Sequence, residues 1–270
     1  MKLLFVSDLH FDVNEHITGE SIINPFTELV KESGADHIVL SGDIANGAEK
    51  AIYYIDTILH RTGIPLSFVP GNHDVWSETD SEREYELLVS HPSCLIGKPH
   101  DFGSHVLIGS MGWYDYSFGL GTEERNACRT KKNKWWDGRF MHFKETDEDK
   151  TGRIIKETKR VLDLYADRPV LFVNHFVPYR EFLIQKPHDY RWQFCHAYLG
   201  SEKMGELLDQ YPNIETIAFG HTHKRIGNVT YKGKQVILNP LGYYGEWESA
   251  DVKGELEKNM VFVTIQGSDG

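Results

Sequence analysis

The chain has 270 residues and a mass of 31.1 kDa, enough for one large α/β domain or two small ones. Its 40% hydrophobic and 26% charged content excludes a disordered chain, which has too little apolar surface to repay ordering. Lys and Arg total 29 against 40 Asp and Glu, a net charge of −11 that repels polyphosphate and argues against duplex nucleic acid as a partner. The three cysteines, Cys94, Cys128 and Cys195, are too scattered for a disulfide framework or a thiolate zinc site, so a reduced, cytoplasmic location is expected. The apolar run Leu3–Val6 is too short for a signal segment, and no stretch approaches the roughly 20 apolar residues of a membrane helix. No membrane partner is expected.

In chain order, Leu3–Val6 reads as a short strand buried on both faces, and the same type recurs at His37–Leu40, Leu66–Val69, Val106–Ile108, Val170–Val173 and Thr216–Phe219. Helical stretches fall between them at Pro25–Glu32, Ala48–His60 and Arg153–Tyr165, which predicts parallel pairing with helices outside. Lys224–Tyr231, Gln235–Leu238 and Met260–Ile265 read as β segments joined by turns such as Lys232-Gly233, suggesting a mostly β C-terminal half. Asp251–Lys258 reads as a solvated loop or helix, and Gly267–Gly270 as a tail. With no internal repeat and no linker, residues 1–270 read as one domain.

The segment from Trp113 to Phe143 differs from the scaffold. It holds Trp113, Tyr114, Tyr116, Phe118, Trp135, Trp136, Phe140 and Phe143, interleaved with Arg125, Arg129, Lys131, Lys132, Lys134 and Arg139. A cap or insertion over 113–150, covering an anionic substrate, and a small aromatic subcore are the two readings it supports.

Chemistry-bearing residues follow the strands. They are Asp8-Leu9-His10, Gly42-Asp43, Gly71-Asn72-His73-Asp74, Asn174-His175 and Gly220-His221-Thr222-His223. Each group lies at the C-terminal end of an apolar run, where open α/β sheets gather their ligand sites. Carboxylate, imidazole and amide oxygen without thiolate suit zinc, manganese or iron. The donors exceed what one tetrahedral ion requires. Two ions sharing a carboxylate account for the surplus, and Asp43, with two oxygens to divide, is the natural bridge. Asp8/His10 and His221/His223 are expected to present two side chains on one side of an extended turn. Gly42, Gly71 and Gly220 would permit close backbone approach or positive φ. Asp74 either orients His73 or caps the following turn. The acidic cluster Glu145–Asp149 reads as a solvated face or helix start, and the other nine histidines as surface or packing residues.

These motifs resemble the calcineurin-like metallophosphoesterases from Asp8 to His223, with Asn239-Pro240-Leu241-Gly242 like the family's later Asn-Pro turn. The resemblance implies a four-layer α/β/β/α sandwich, two mixed sheets flanked by helices. It further implies that Asp8, His10, Asp43 and His223 hold one transition-metal ion and Asp43, Asn72, His175 and His221 the other (Mn, Fe or Zn), while His73 is not a ligand but faces the substrate. Ile44-Ala45-Asn46-Gly47 departs from the Val-Asp-Arg-Gly of protein Ser/Thr phosphatases. No Tyr follows Asp43 at the purple acid phosphatase spacing, and position 10 is His where those enzymes have Gly. The bacterial-type group of phosphodiesterases, nucleases and lipid-precursor pyrophosphatases remains. The expected activity is hydrolysis of a phosphodiester of a small, nucleotide-like phosphorylated substrate, with a phosphomonoesterase, a pyrophosphatase or a non-catalytic scaffold as alternatives.

Overall fold

In the computed structural model, residues 1–119, 121, 126–128, 135–186 and 189–266 are described. Arg125, Arg129, Lys131, Lys132, Lys134, His188 and the tail Gly267–Gly270 lie outside them. The strands are β1 (Lys2–Val6), β2 (His37–Leu40), β3 (Leu66–Phe68), β4 (His100–Asp101), β5 (Val106–Gly109), β6 (Val170–Val173), β7 (Ile214–Ala218), β8 (Gly227–Tyr231), β9 (Lys234–Leu238) and β10 (Val261–Thr264).

They form two mixed sheets. One has the order β10-β1-β2-β3 and the other β4-β5-β6-β7-β9-β8. β1, β2 and β3 run parallel, as do β5, β6, β7 and β9. Antiparallel pairing is confined to β10, β4 and β8. The strands that alternate with helices thus pair in parallel as expected, and the antiparallel edges make both sheets mixed.

Period-two alternation explains the layers. Leu3, Phe5 and Val39 of the first sheet share one apolar cluster with Leu107, Leu171, Val173 and Ile237 of the second. Their neighbours Leu4, Val6, Ile38 and Leu40 join Phe26, Leu29, Ile55 and Ile58 of the helices Ile23–Glu32 and Ala48–Thr62. On the far side, Val106, Ile108 and Phe172 cluster with Ile154 and Leu162 of the helix Asp147–Leu164. The result is a four-layer α/β/β/α sandwich. Among the described residues no helix is long and apolar enough to cross a membrane.

Two of the sequence expectations differ from the structure. The helix predicted from Arg153 begins at Asp147, where Thr146 Oγ1 accepts the Asp149 N–H at 3.1 Å. Asp147, Glu148 and Asp149 occupy its first turn, so the acidic cluster marks a helix start favoured by the helix dipole. The C-terminal half is not mostly β. It carries the helices Tyr190–His196, Glu202–Asp209 and Val252–Asn259, and β10 leaves it to pair with β1. The hairpin β8–β9 does turn at Lys232-Gly233, both with positive φ as a two-residue hairpin turn requires.

Candidate metal centre

The loops after β1, β2, β3, β6 and β7 converge because parallel strands in each sheet point their C-terminal ends the same way. Their backbone is strained. Among the described residues, the non-glycine positions with positive φ are Asp8, His10, Asp43, Tyr116, His221, His223 and Lys232, so five of these seven carry candidate donors. The extended turns expected for Asp8/His10 and His221/His223 are thus left-handed instead, which turns both side chains of each pair inward. Such backbone costs about 1–3 kcal/mol per residue and persists only where its surroundings over-determine it.

Asp74 supplies that determination at Asp43. Its carboxylate accepts N–H groups from Asp43 (2.9 Å), Ile44 (2.8 Å), Ala45 (3.0 Å) and Gly71 (2.7 Å). It neither orients the His73 ring nor caps a turn, but ties the loop after β2 to the loop after β3. Burial, then the Asp43 charge, pushes its carboxyl up to about 7 against the pull of these N–H donors. The His221 N–H donates to Asp8 Oδ1 and the His73 N–H to Asp43 Oδ1, each at 2.9 Å. Gly42 takes φ +84°, while Gly71 and Gly220 serve by close approach. An ideal Cβ on either would lie 2.1 Å from a carboxylate oxygen, of Asp43 and Asp8 respectively.

Two donor groups result, each with its ligand atoms within 4.8 Å of one another: Asp8, His10, Asp43 and His223, and Asp43, His175 and His221. Asp43 belongs to both. His10 Nε2 lies 3.1 Å from His223 Nε2 and 3.7 Å from Asp43 Oδ2. His175 Nε2 lies 3.4 Å from Asp43 Oδ1 and 2.9 Å from Asn72 Oδ1. Outward ring nitrogens have their own partners: His175 Nδ1 meets the Ser41 carbonyl at 2.8 Å, and His223 Nδ1 meets Glu246 Oε2 at 2.7 Å. Such partners fix ring orientation in metal sites. Glu246 carried no local signal in the sequence.

The donor set fits transition metals. Asp8 Oδ2 is buried without a hydrogen-bond partner among the described residues, and two imidazole nitrogens face each other with carboxylates beside them. Burial drives the His10 ring well below its ordinary range and the His221 ring down to about 3, so both keep a free lone pair. Against the cost of burial, Asp43 holds the His175 ring up to about 9, and Asp8 and Glu246 hold His223 up to about 10. Metal binding would release those protons.

His73 is not in either donor group. Its Nδ1 lies 2.6 Å from Asn46 Oδ1 and its Nε2 3.0 Å from the Tyr243 hydroxyl. Both His73 and Tyr243 line a cleft of about 210 Å³ that also exposes Asp43, Asn72, His221 and His223. Trp76, Trp135, Trp136 and Trp192 wall the same cleft. The aromatic segment therefore divides. Trp113, Tyr114, Tyr116 and Phe118 are buried in the main apolar cluster, with the Trp113 indole and Tyr116 hydroxyl donating to Asp147. Trp135 and Trp136 reach the cleft. Cys128 is buried away from it, and His196 Nε2 meets the Ile184 carbonyl at 2.8 Å.

Residues 1–225 match the model of the calcineurin-like phosphoesterase family. The chain belongs to that family. Among curated relatives, a probable cyclic nucleotide phosphodiesterase of Psychrobacter arcticus is 49% identical over 199 residues, 73% of this chain and 60% of the relative. The chain thus spans under two thirds of that relative's length. The [acyl-carrier-protein] phosphodiesterase PptH of Mycobacterium tuberculosis is 25% identical over 269 residues, covering 90% of this chain and 78% of the relative. The crystal structure of phosphopantetheinyl hydrolase PptH from the same organism superposes with a TM-score of 0.71 at 20% identity, over 97% of this chain and 95% of that one. A dimetal phosphatase of Danio rerio gives 0.54 at 16% identity, over 89% and 87%. Both structures share the sandwich. Family membership and the paired donor groups together indicate a dinuclear transition-metal site.

Proposed function

We propose that this calcineurin-like phosphoesterase is a dinuclear metal-dependent phosphodiesterase acting on a small, nucleotide-like substrate. The observation that carries the reading is the pair of donor groups joined at Asp43. Asp8, His10, Asp43 and His223 would hold one ion, and Asp43, Asn72, His175 and His221 the other, with Mn, Fe or Zn suited to these nitrogen and oxygen donors. When bound, two such ions neutralise the phosphate's charge and supply a water acidic enough to attack it near neutral pH.

The chain's own residues take separate tasks. Asp43 divides its two oxygens between the groups. His73, anchored at Nδ1 by Asn46, turns Nε2 toward the Tyr243 hydroxyl and the cleft, and we assign it the proton delivered to the leaving oxygen. Trp76, Trp136 and Trp192 offer flat apolar walls for a planar group, which supports a base-bearing substrate. Of the two named curated relatives, one is a probable cyclic nucleotide phosphodiesterase and the other an [acyl-carrier-protein] phosphodiesterase, which supports a diester over a monoester.

A panel of bis-p-nitrophenyl phosphate, p-nitrophenyl phosphate, cyclic nucleotides and a phosphopantetheinyl-carrier conjugate, assayed with Mn²⁺, tests this reading. Turnover of the synthetic diester and of cyclic nucleotides is expected. Preference for the monoester would replace the diester assignment. A chain that binds no transition metal and turns over nothing would be a scaffold.

A further inference from the structure

Asn72 is an amide, and an amide can ligate a metal only through its oxygen. Its two ends are nearly the same size, so something must hold the nitrogen away. In this fold that partner is Asp137, contributed by the short helix Asp137–Phe140. Asp137 is 1% exposed. Its Oδ1 accepts the Asn72 Nδ2–H at 2.9 Å and the Trp76 indole N–H at 2.9 Å, and its Oδ2 accepts the Trp135 indole N–H at 3.1 Å. Every contact named is a donor, which an ionised carboxylate satisfies and an amide cannot, since the amide must present its own N–H groups on one side.

We infer that Asp137 is a positioning residue for the second ion: it holds the Asn72 amide with Oδ1 toward His175 and the shared Asp43, and ties two indole walls of the cleft to that ligand. The geometry on the opposite side agrees, with Asn72 Oδ1 2.9 Å from His175 Nε2. An ion held by Asp8, His10, Asp43 and His223 would have no such dependence. The inference rests on the dinuclear reading of the donor cluster, and it gives the 113–150 segment a role in metal binding as well as in shaping the cleft.

Equilibrium dialysis of the full chain against graded Mn²⁺ tests it through metal content alone. Wild type is expected to take two ions. D137N is expected to fold, to keep one ion at wild-type affinity, and to bind the other about 10–100-fold more weakly, the size of effect seen when a ligand's orienting partner is removed. The exchange N72D/D137N returns a carboxylate oxygen to the ligand position with an amide donor behind it, and is expected to bind the second ion more tightly than D137N but short of wild type, because the Trp76 indole N–H then faces that amide. Two ions at wild-type affinity in D137N would overturn the inference. So would equal weakening of both ions, failure of D137N to fold even in excess Mn²⁺, or failure of the exchange to bind the second ion more tightly than D137N, since each marks Asp137 as structural or irrelevant. A wild type that holds two ions yet hydrolyses no phosphodiester would defeat the proposed function and leave this inference standing.

Discussion

At the scale of single residues, the donor positions are expensive to build, and the surrounding contacts show how they are kept. Asp8, His10, Asp43, His221 and His223 all have left-handed backbone; the N–H of Asp43 ends on Asp74 and that of His221 on Asp8, while those of Asp8 and His10 end on the carbonyls of Gly42 and Asp43. Gly220 belongs to this device through space, not through φ. Gly220→Ala brings a methyl to 2.1 Å from Asp8 Oδ2, so the carboxylate must move. The expected outcome is metal affinity lowered roughly 10–100-fold with the fold retained, checked by bound Mn²⁺ per chain alongside circular dichroism. His73→Ala should behave in the opposite way. The His73 backbone N–H still reaches Asp43 Oδ1, so metal content should stay near wild type while kcat falls about 10²–10⁴-fold. The loss should be smallest for p-nitrophenolate as leaving group. Equal losses for good and poor leaving groups would remove the proton-delivery assignment.

At the scale of elements, the stretch from Trp113 to Phe143 joins two functions that its composition alone cannot separate. Trp113 is 2% exposed and Trp136 58%. Trp113→Ala should destabilise by roughly 3–5 kcal/mol through the cavity it leaves, read by urea denaturation. Trp136→Ala should leave stability near wild type. It should raise KM for a nucleotide substrate by roughly five- to a hundred-fold, the equivalent of one base stack, and spare bis-p-nitrophenyl phosphate. Equal effects on both substrates would remove the planar-group reading of the cleft. The helix Asp147–Leu164 carries an interior glycine. Gly152 sits exposed within it, with nothing within 4 Å of an added Cβ. Gly152→Ala should therefore stabilise by about 0.4–1 kcal/mol, seen as a higher urea midpoint.

At the scale of the whole molecule, the two sheets meet near His37, which is buried against Ser67 in its own sheet and packs on His100 and Phe102 of the other. Burial, then the His100 charge, lowers its ring to about 3. The sign follows from linkage: between the unfolded value near 6.5 and about 3, the unfolded chain holds a proton on His37 that the folded chain does not. This residue's share of stability is complete above pH 6.5 and is lost as pH falls through that window. His37→Gln should therefore flatten the pH dependence of unfolding free energy between pH 6 and 4 by up to one proton, about 1.4 kcal/mol per pH unit. Urea unfolding across that range checks it, and an unchanged slope would show that the acid sensitivity lies elsewhere.

The sequence by itself determined the layered α/β architecture and the family, because both depend on local order. Short apolar runs read as strands from their own residues, and Asp8, His10, Asp43, Asn72, His175, His221 and His223 announce themselves by following those runs. What only the tertiary structure decided depends on contacts between residues far apart in the chain. Asn72 meets Asp137 across 65 residues, and His73 meets Tyr243 across 170. Glu246 reaches His223 only because the loop after β9 returns over the centre. The role of Asp74 was open for the same reason, since its acceptors' partners lie in the loop after β2 as well as in its own. The aromatic segment had a composition but no period, and packing alone sends Trp113 to the core and Trp136 to the cleft. Strand endings write donor chemistry into the local sequence, whereas the partners that orient those donors are chosen by how the two sheets and their loops close over one another.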